Sequence, residues 1–135
     1  MVFGVGRLII VLDSNEYIIF LNKKTHLDKI LANNKIYINE LIVKEVLRNI
    51  GESLKGQFYQ FLFKSNIILH NEELPINLFE KYKDLGLKKG DIEIAAFCEN
   101  INTDYLITEN RHFLKSKKFE KIKVLNLKEF LEKVK

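Results

Sequence analysis

The chain has few of the residues that mark a special architecture. Six glycines and one proline in 135 residues are too few for a collagen-like, linker-rich or low-complexity chain. The single cysteine, Cys98, has no partner for an internal disulfide and cannot by itself build a thiolate zinc site. The three histidines, His26, His70 and His112, lie far apart in sequence without ligand spacing. The aliphatic run Leu8-Ile9-Ile10-Val11-Leu12 follows Arg7 and stops at Asp13. It is too short to span a membrane and lacks the flanks of a signal peptide. A reducing compartment and a cytoplasmic protein without membrane contact are the expectation.

Phosphate-cradling glycine loops are missing too. Gly4 and Gly6 precede the first aliphatic run instead of following it, so the dinucleotide fingerprint is absent. No glycine-rich loop ends in Lys-Ser or Lys-Thr, and no serine sits in a nucleophile elbow.

What remains is an ordinary globular composition, 47% hydrophobic and 30% charged, with enough apolar surface to offset chain entropy. The length and the 15.9 kDa mass fit one domain over residues 1–135. The net charge is +4, from 22 basic and 18 acidic residues, which by itself says little about a polyanionic partner.

Strand and helix patterns alternate along the chain. Residues 7–12 form a continuous aliphatic run, as in a strand buried on both faces. Residues 14–32 repeat apolar positions at helical spacing (Tyr17, Ile18, Phe20, Leu21, Leu27, Ile30, Leu31). A strand over 35–38 precedes a helix capped by Asn39 and running to Ile50, with Leu41, Ile42, Val46, Leu47 and Ile50 inward. The pattern then predicts a helix over 52–64, a strand over 67–69, and a helix from Pro75 to Leu85. After a loop bracketed by Gly86 and Gly90 come a helix over 91–101, a strand over 105–108 and a short helix over 110–117. A strand over 123–125 and a helix from Leu127 end the chain. This is an α/β class with a mainly parallel sheet of four to five strands, its faces covered by right-handed crossovers. Ligands in such sheets bind beyond the carboxyl ends of the strands.

Carboxylates stand at those ends. The chain has five aspartates. Asp13 directly follows the most apolar strand, where Asp13-Ser14-Asn15-Glu16 also matches a capping box. Asp91 shares a helical face with Ile94, Ala95 and Cys98, while Glu93 points the other way with Asn100. An N-cap after Gly90 is one explanation, but an inward carboxylate is costly unless it is paired or metal-bound. Glu45 and Glu40 lie on the two borders of the apolar face of their helix, and periodicity does not choose between them. In Tyr105-Leu106-Ile107-Thr108-Glu109-Asn110-Arg111-His112-Phe113 a strand runs into polar residues. There Thr108 or Asn110 caps a short helix or completes a polar site.

These four pieces, in this order, resemble the PIN-domain nucleases, the family of VapC-like toxins and related ribonucleases, over nearly the whole chain. Leu12-Asp13-Ser14-Asn15 resembles the opening strand-end motif. Ile42-Val43-Lys44-Glu45-Val46-Leu47 is similar to the helix that supplies the second acid, which favours Glu45 over Glu40. Lys89-Gly90-Asp91-Ile92-Glu93-Ile94-Ala95-Ala96 resembles the third-acid helix. Asp104-Tyr105-Leu106-Ile107-Thr108-Glu109-Asn110 resembles the strand that leads into Thr-x-Asp, and Val124-Leu125-Asn126-Leu127-Lys128-Glu129-Phe130-Leu131 the terminal strand and helix. One position departs from the pattern: Asn110 stands where the family usually has its fourth Asp. An amide positions water or binds through its carbonyl but brings no negative charge, and Glu109 is one residue off.

The resemblance implies a single three-layer α/β domain and a Mg²⁺- or Mn²⁺-dependent endoribonuclease, the toxin of a toxin–antitoxin pair. Three converging carboxylates repel one another until a dication with oxygen preference neutralises them. In this scheme Asp13 and Asp91 bind the metal, Glu45 binds it directly or through water, and Asn110 orients a water. Ser14 and Thr108 hydrogen-bond the ligands, and Glu109 and Arg111 stand beside the site. Two ions would sit roughly 3.5–4 Å apart. The implied partners are RNA, a small antitoxin that blocks the cleft, and a second copy in a homodimer. The competing reading is a weakened PIN-like module that docks RNA or protein, with Asn110 as its sign. The remaining features read as ordinary structure: Cys98 as core and His112 as a surface residue. Lys115, Lys117, Lys118, Lys121 and Lys123 are either an RNA track or a solvated face, and Arg111 is the better phosphate contact.

Overall fold

A computed structural model describes residues 8–23, 27–115, 119 and 122–133. The elements are β1 (Ile9–Leu12), α1 (Ser14–Lys23), α2 (Asp28–Asn33), β2 (Lys35–Asn39), α3 (Glu40–Arg48), α4 (Glu52–Lys64), β3 (Ile68–His70), α5 (Ile76–Asp84), α6 (Lys89–Asn100), β4 (Tyr105–Ile107), α7 (Arg111–Lys115), β5 (Lys123–Leu125) and α8 (Leu127–Lys133). The strands form one sheet in the order β3-β2-β1-β4-β5, and every pairing is parallel. The expected α/β class and parallel sheet are thus present, in a PIN-like three-layer arrangement.

β1 is central because its sequence suits burial on both faces. Ile10, Val11 and Leu12 alternate faces, yet all three are fully buried, so helices cover both sides. They pair in register with Tyr105, Leu106 and Ile107 of β4. The chain builds outward from β1 through β2 to β3, then crosses to the other side for β4 and β5. The β1/β4 boundary is therefore the topological switch point. On one flank the Tyr17 ring of α1 meets Phe58 and Phe61 of α4 edge-on, at 5.8 and 6.3 Å between centroids. Cys98 is fully buried, as expected, and burial pushes its thiol pKa up. Gly86 closes α5 with φ 88°, a left-handed cap in which its N–H donates to the Lys83 carbonyl at 2.9 Å. Among the described residues no helix is long and apolar enough to cross a membrane.

Several expected boundaries are corrected. The single helix over 14–32 is two helices, with residues 24–26 outside the described set. The sheet explains the break: a 19-residue helix would be about 28 Å long, against about 13 Å for a four-residue strand, and would overshoot the start of β2. The helix over 91–101 begins earlier, at Lys89. Lys88 is its N-cap residue, so Asp91 lies inside the first turn and is not a cap. The capping box at Asp13 does not close. The Asp13 N–H donates to the Ile107 carbonyl at 2.9 Å, which leaves Glu16 no cap N–H to receive. The third strand is shifted one residue to Ile68–His70, and the fourth ends at Ile107, with the Thr108 N–H still donating to the Leu125 carbonyl at 3.0 Å. Asn39 caps α3 as expected, its side chain accepting from the Ile42 N–H at 2.9 Å, though the helix stops at Arg48. The short seventh helix starts at Arg111, and residues 116 and 117 of its expected span lie outside the described set. So do Gly4, Gly6, Arg7, His26, Lys117, Lys118 and Lys121.

Candidate active site

The end of β1 delivers Asp13 to the switch point, only 6% exposed. Its two oxygens are held from two directions. Oδ1 accepts from the Ser14 N–H at 2.8 Å, and Oδ2 accepts from the Thr108 hydroxyl at 2.7 Å. Thr108, fully buried after β4, also accepts from the Asn110 N–H at 3.0 Å. One hydroxyl thus ties the turn that carries Asn110 to Asp13. The Ser14 hydroxyl donates to Glu45 Oε2 at 3.0 Å, coupling α3 to the same turn.

A cleft of about 410 Å³ opens there, lined by Asp13, Ser14, Asn15, Ile18, Glu45, Asn49, Gly90, Asp91, Ile94 and Asn110. Asp13, Glu45, Asp91 and Asn110, far apart in sequence, therefore face one space. Glu40 is exposed and outside it, so the structure separates the two glutamates that periodicity left equal. A Cβ added at Gly90 would meet no atom within 4 Å, so the space beside Asp91 is open. Asp91 sits in the first turn of α6, where the helix dipole favours an anion.

Electrostatic strain marks the cleft. Burial raises the Glu45 pKa above the usual carboxylate range, and the charges of Asp13 and Asp91 add to it. The Ser14 hydrogen bond and Arg48 oppose it. Burial raises the Asp91 pKa as well, with Asp13 adding to the effect and His112 and Lys88 opposing it. The carboxylates feel one another, yet among the described residues no three His, Cys, Asp or Glu side chains are arranged to hold a metal ion. A three-carboxylate cage is not preformed. The donor set nonetheless suits Mg²⁺, which takes hard oxygens, keeps several waters and needs only one or two protein carboxylates.

Asn110 lines the cleft while its Oδ1 accepts from the His112 N–H at 2.9 Å, so it caps α7 and faces the site together. Glu109 points elsewhere, accepting from the Leu127 N–H at 3.2 Å. Arg111 is exposed and does not line the cleft.

Sequence reasoning missed two residues. Asn49 lines the cleft one turn after Glu45, its side chain donating to the Glu45 carbonyl at 2.7 Å. The i, i+4 spacing from Glu45 was its signal. Glu16 is only 2% exposed, and among the described residues its Oε2 has no hydrogen-bond partner. Burial first, then Glu109 and Asp13, push its pKa up to about 8. The sequence offered only a capping pattern there, which concealed it.

No family model matches the chain in sequence, and no curated protein matches it either. Its fold is similar to that of solved structures. A chain of VapBC2 from Rickettsia felis, bound to a DNA fragment from their promoter, matches with a TM-score of 0.60 and 20% identity, over 88% of this chain and 98% of that one. The PIN domain of T. brucei RRP44 matches with a TM-score of 0.58 and 9% identity, over 95% of this chain and 82% of that domain.

Proposed function

We propose that this PIN-like chain is a ribonuclease that hydrolyses RNA phosphodiester bonds with Mg²⁺ or Mn²⁺, acting in the cytoplasm as the toxin of a toxin–antitoxin pair. The reading is carried by one observation: Asp13, Glu45, Asp91 and Asn110 line a single cleft at the β1/β4 switch point. The likeness to the VapBC2 and RRP44 structures supports it.

Asp13 and Asp91 would hold the metal, with Glu45 joining directly or through water. The ion would acidify water and neutralise charge on the phosphate. The chain's own residues prepare that chemistry. Ser14 and Thr108 fix the Asp13 carboxylate, so it does not need to reorganise when charge develops. The Ser14 hydroxyl orients Glu45 through its 3.0 Å bond. Asn110 presents an amide to the cleft, suited to orienting water. The raised pKa values of Glu45 and Asp91 mark carboxylates whose charge is costly in the cleft until a cation compensates it. The partner in this reading is a small antitoxin that covers the cleft.

Three observations favour a second reading, a module that binds RNA or protein without cutting. Asn110 supplies no charge, its Oδ1 is engaged as a helix cap, and among the described residues no three-ligand cage is preformed. Incubation with single-stranded and structured RNA and Mn²⁺, with and without chelator, separates the two. Chelator-sensitive cleavage, with Mn²⁺ uptake by calorimetry, is the expected result. Absence of both leaves the binding module.

A further inference from the structure

α3 has a second face beside the cleft. Glu45 and Asn49 turn into the acidic cleft, while Lys44, Leu47, Arg48 and Ile50 line an adjoining hollow of about 440 Å³ together with Glu52 and Lys55. The two spaces share the last turn of α3 as a common wall. Three cations, Lys44, Arg48 and Lys55, surround the hollow against one carboxylate, Glu52. That carboxylate pairs with Lys55 at 3.0 Å in an exposed ion pair, which is weak and easily exchanged. Arg48 already acts across the wall, opposing the upward shift of the Glu45 pKa.

α4 continues the path. Lys55, Tyr59 and Phe63 follow at i, i+4 and i+8 on one side of that helix, about 6 Å apart along its axis. Exposure grows along the series: Tyr59 is 53% exposed and Phe63 87%. Phe58, next to Tyr59 in sequence, is fully buried, and its ring lies 5.9 Å from that of Tyr59, so the helix keeps one aromatic face for the core and exposes another. A basic hollow that opens onto a line of exposed aromatic rings is the pattern by which proteins hold single-stranded nucleic acid, cations tracking phosphates and rings stacking on bases.

We infer that Lys44, Arg48 and Lys55 bind the phosphates of a single-stranded RNA as it leaves the acidic cleft, and that Tyr59 and Phe63 stack on its next bases. The inference rests on the nuclease reading for its direction along the strand, but binding is testable without cleavage. A protein occupant is the alternative that the exposed rings raise. The charge of the hollow favours the polyanion.

The test uses the full chain in EDTA and a fluorescent 12-nucleotide single-stranded RNA, read by anisotropy over a salt series. Two variants are compared with wild type: Lys44→Gln/Arg48→Gln/Lys55→Gln, and Tyr59→Ala/Phe63→Ala. All five side chains lie at the surface, and circular dichroism checks that each variant is folded. The basic variant lowers the slope of log affinity against log salt by about 2, at about 0.7 per phosphate contact on a single strand. The aromatic variant weakens binding about tenfold or more and leaves the slope unchanged. Wild-type affinity and slope in both variants, or no binding by wild type, overturns the inference. So does a sedimenting wild-type dimer that the aromatic variant dissociates while RNA affinity is unchanged. Cleavage with Mn²⁺ is scored separately. RNA binding through this surface without cleavage removes the nuclease reading and keeps the surface, whereas cleavage and binding unaffected by both variants does the reverse.

Discussion

Two groups of acidic side chains stand around the first turn of α1 in different surroundings. Asp13, Glu45 and Asp91 line an open cleft. Glu16, within that first turn, does not line the cleft; it is 2% exposed with Glu109 beside it, and among the described residues its Oε2 has no hydrogen-bond partner. Both groups contain carboxyls with raised pKa values, and burial is the leading cause in both. They differ in how the strain can be relieved. The open group has room for a hydrated cation. The closed group does not line the cleft, and the smallest available cation is a proton. Excess negative charge therefore does not by itself identify a metal site; space and access decide.

The largest expected effect tests the open group. Asp13→Asn keeps one acceptor oxygen for Ser14 or Thr108 but removes the charge. Metal-dependent RNA cleavage is expected to fall on the order of a thousandfold, equivalent to several kcal/mol of transition-state stabilisation. The melting temperature should stay within a few degrees of wild type. Cleavage at the wild-type rate in this variant would remove Asp13 from the mechanism and make the cleft no different in kind from the Glu16 pocket.

Thr108→Val is next. The Thr108 hydroxyl is fully buried and donates to Asp13 at 2.7 Å. Valine has nearly the same shape, leaves one Asp13 oxygen unserved, and removes the acceptor of the Asn110 N–H. The expected loss is about 2–3 kcal/mol of stability, as for a hydrogen bond to a charged group, read by urea denaturation. Cleavage should drop severalfold through misplacement of Asp13. An unchanged denaturation midpoint would mean that water replaces the hydroxyl.

The closed group makes a prediction about pH. Glu16 has its pKa pushed up to about 8 in the folded protein, against about 4.3 for an ordinary glutamate. Between those values the folded chain holds a proton that the unfolded chain has released. Its contribution is therefore fully present below about pH 4 and is lost as pH rises through 8. The raised pKa values of Glu45 and Asp91 act in the same direction. Glu16→Gln removes the largest part. In EDTA it should match wild type at about pH 4 and exceed it by about 1–2 kcal/mol at about pH 9, the shift being discounted for solvent at the exposed Glu109. Equal stability curves for the two proteins would show that Glu16 ionises freely and that the closed group is not closed.

The sequence made the open group far more legible than the closed one, for physical reasons. Strand-end position exposed Asp13, because the aliphatic run before it could only be a buried strand. Helical periodicity turned Asp91 inward. Glu45 and Glu40 were symmetric by periodicity and were separated only by the family resemblance; in the structure Glu45 lines the cleft and Glu40 is exposed outside it. Helix and strand order was readable from β2 onward, since alternating patterns leave few topologies. The break between α1 and α2 was not readable, because it depends on strand length and not on local pattern. Glu16 was hidden for a similar reason. A capping box and a buried acid look alike until it is known that the Asp13 N–H belongs to the sheet.

The smallest expected effect probes the boundary between the two groups. Asn110 faces the cleft and caps α7, its Oδ1 accepting from the His112 N–H at 2.9 Å, while its neighbour Glu109 faces Glu16. Asn110→Asp keeps an acceptor for that cap and adds one negative charge to the open side. Stability should change by less than about 1 kcal/mol, since the helix-capping acceptor survives and an anion near a helix N-terminus is favourable. Mn²⁺ affinity by calorimetry should rise severalfold, because carboxylate is a better hard-cation ligand than amide. If affinity is unchanged while the pKa of Glu16 rises further, the added charge has gone to the closed side. The wall between the two groups would then be electrostatically thin, and the contrast between them would be one of access alone.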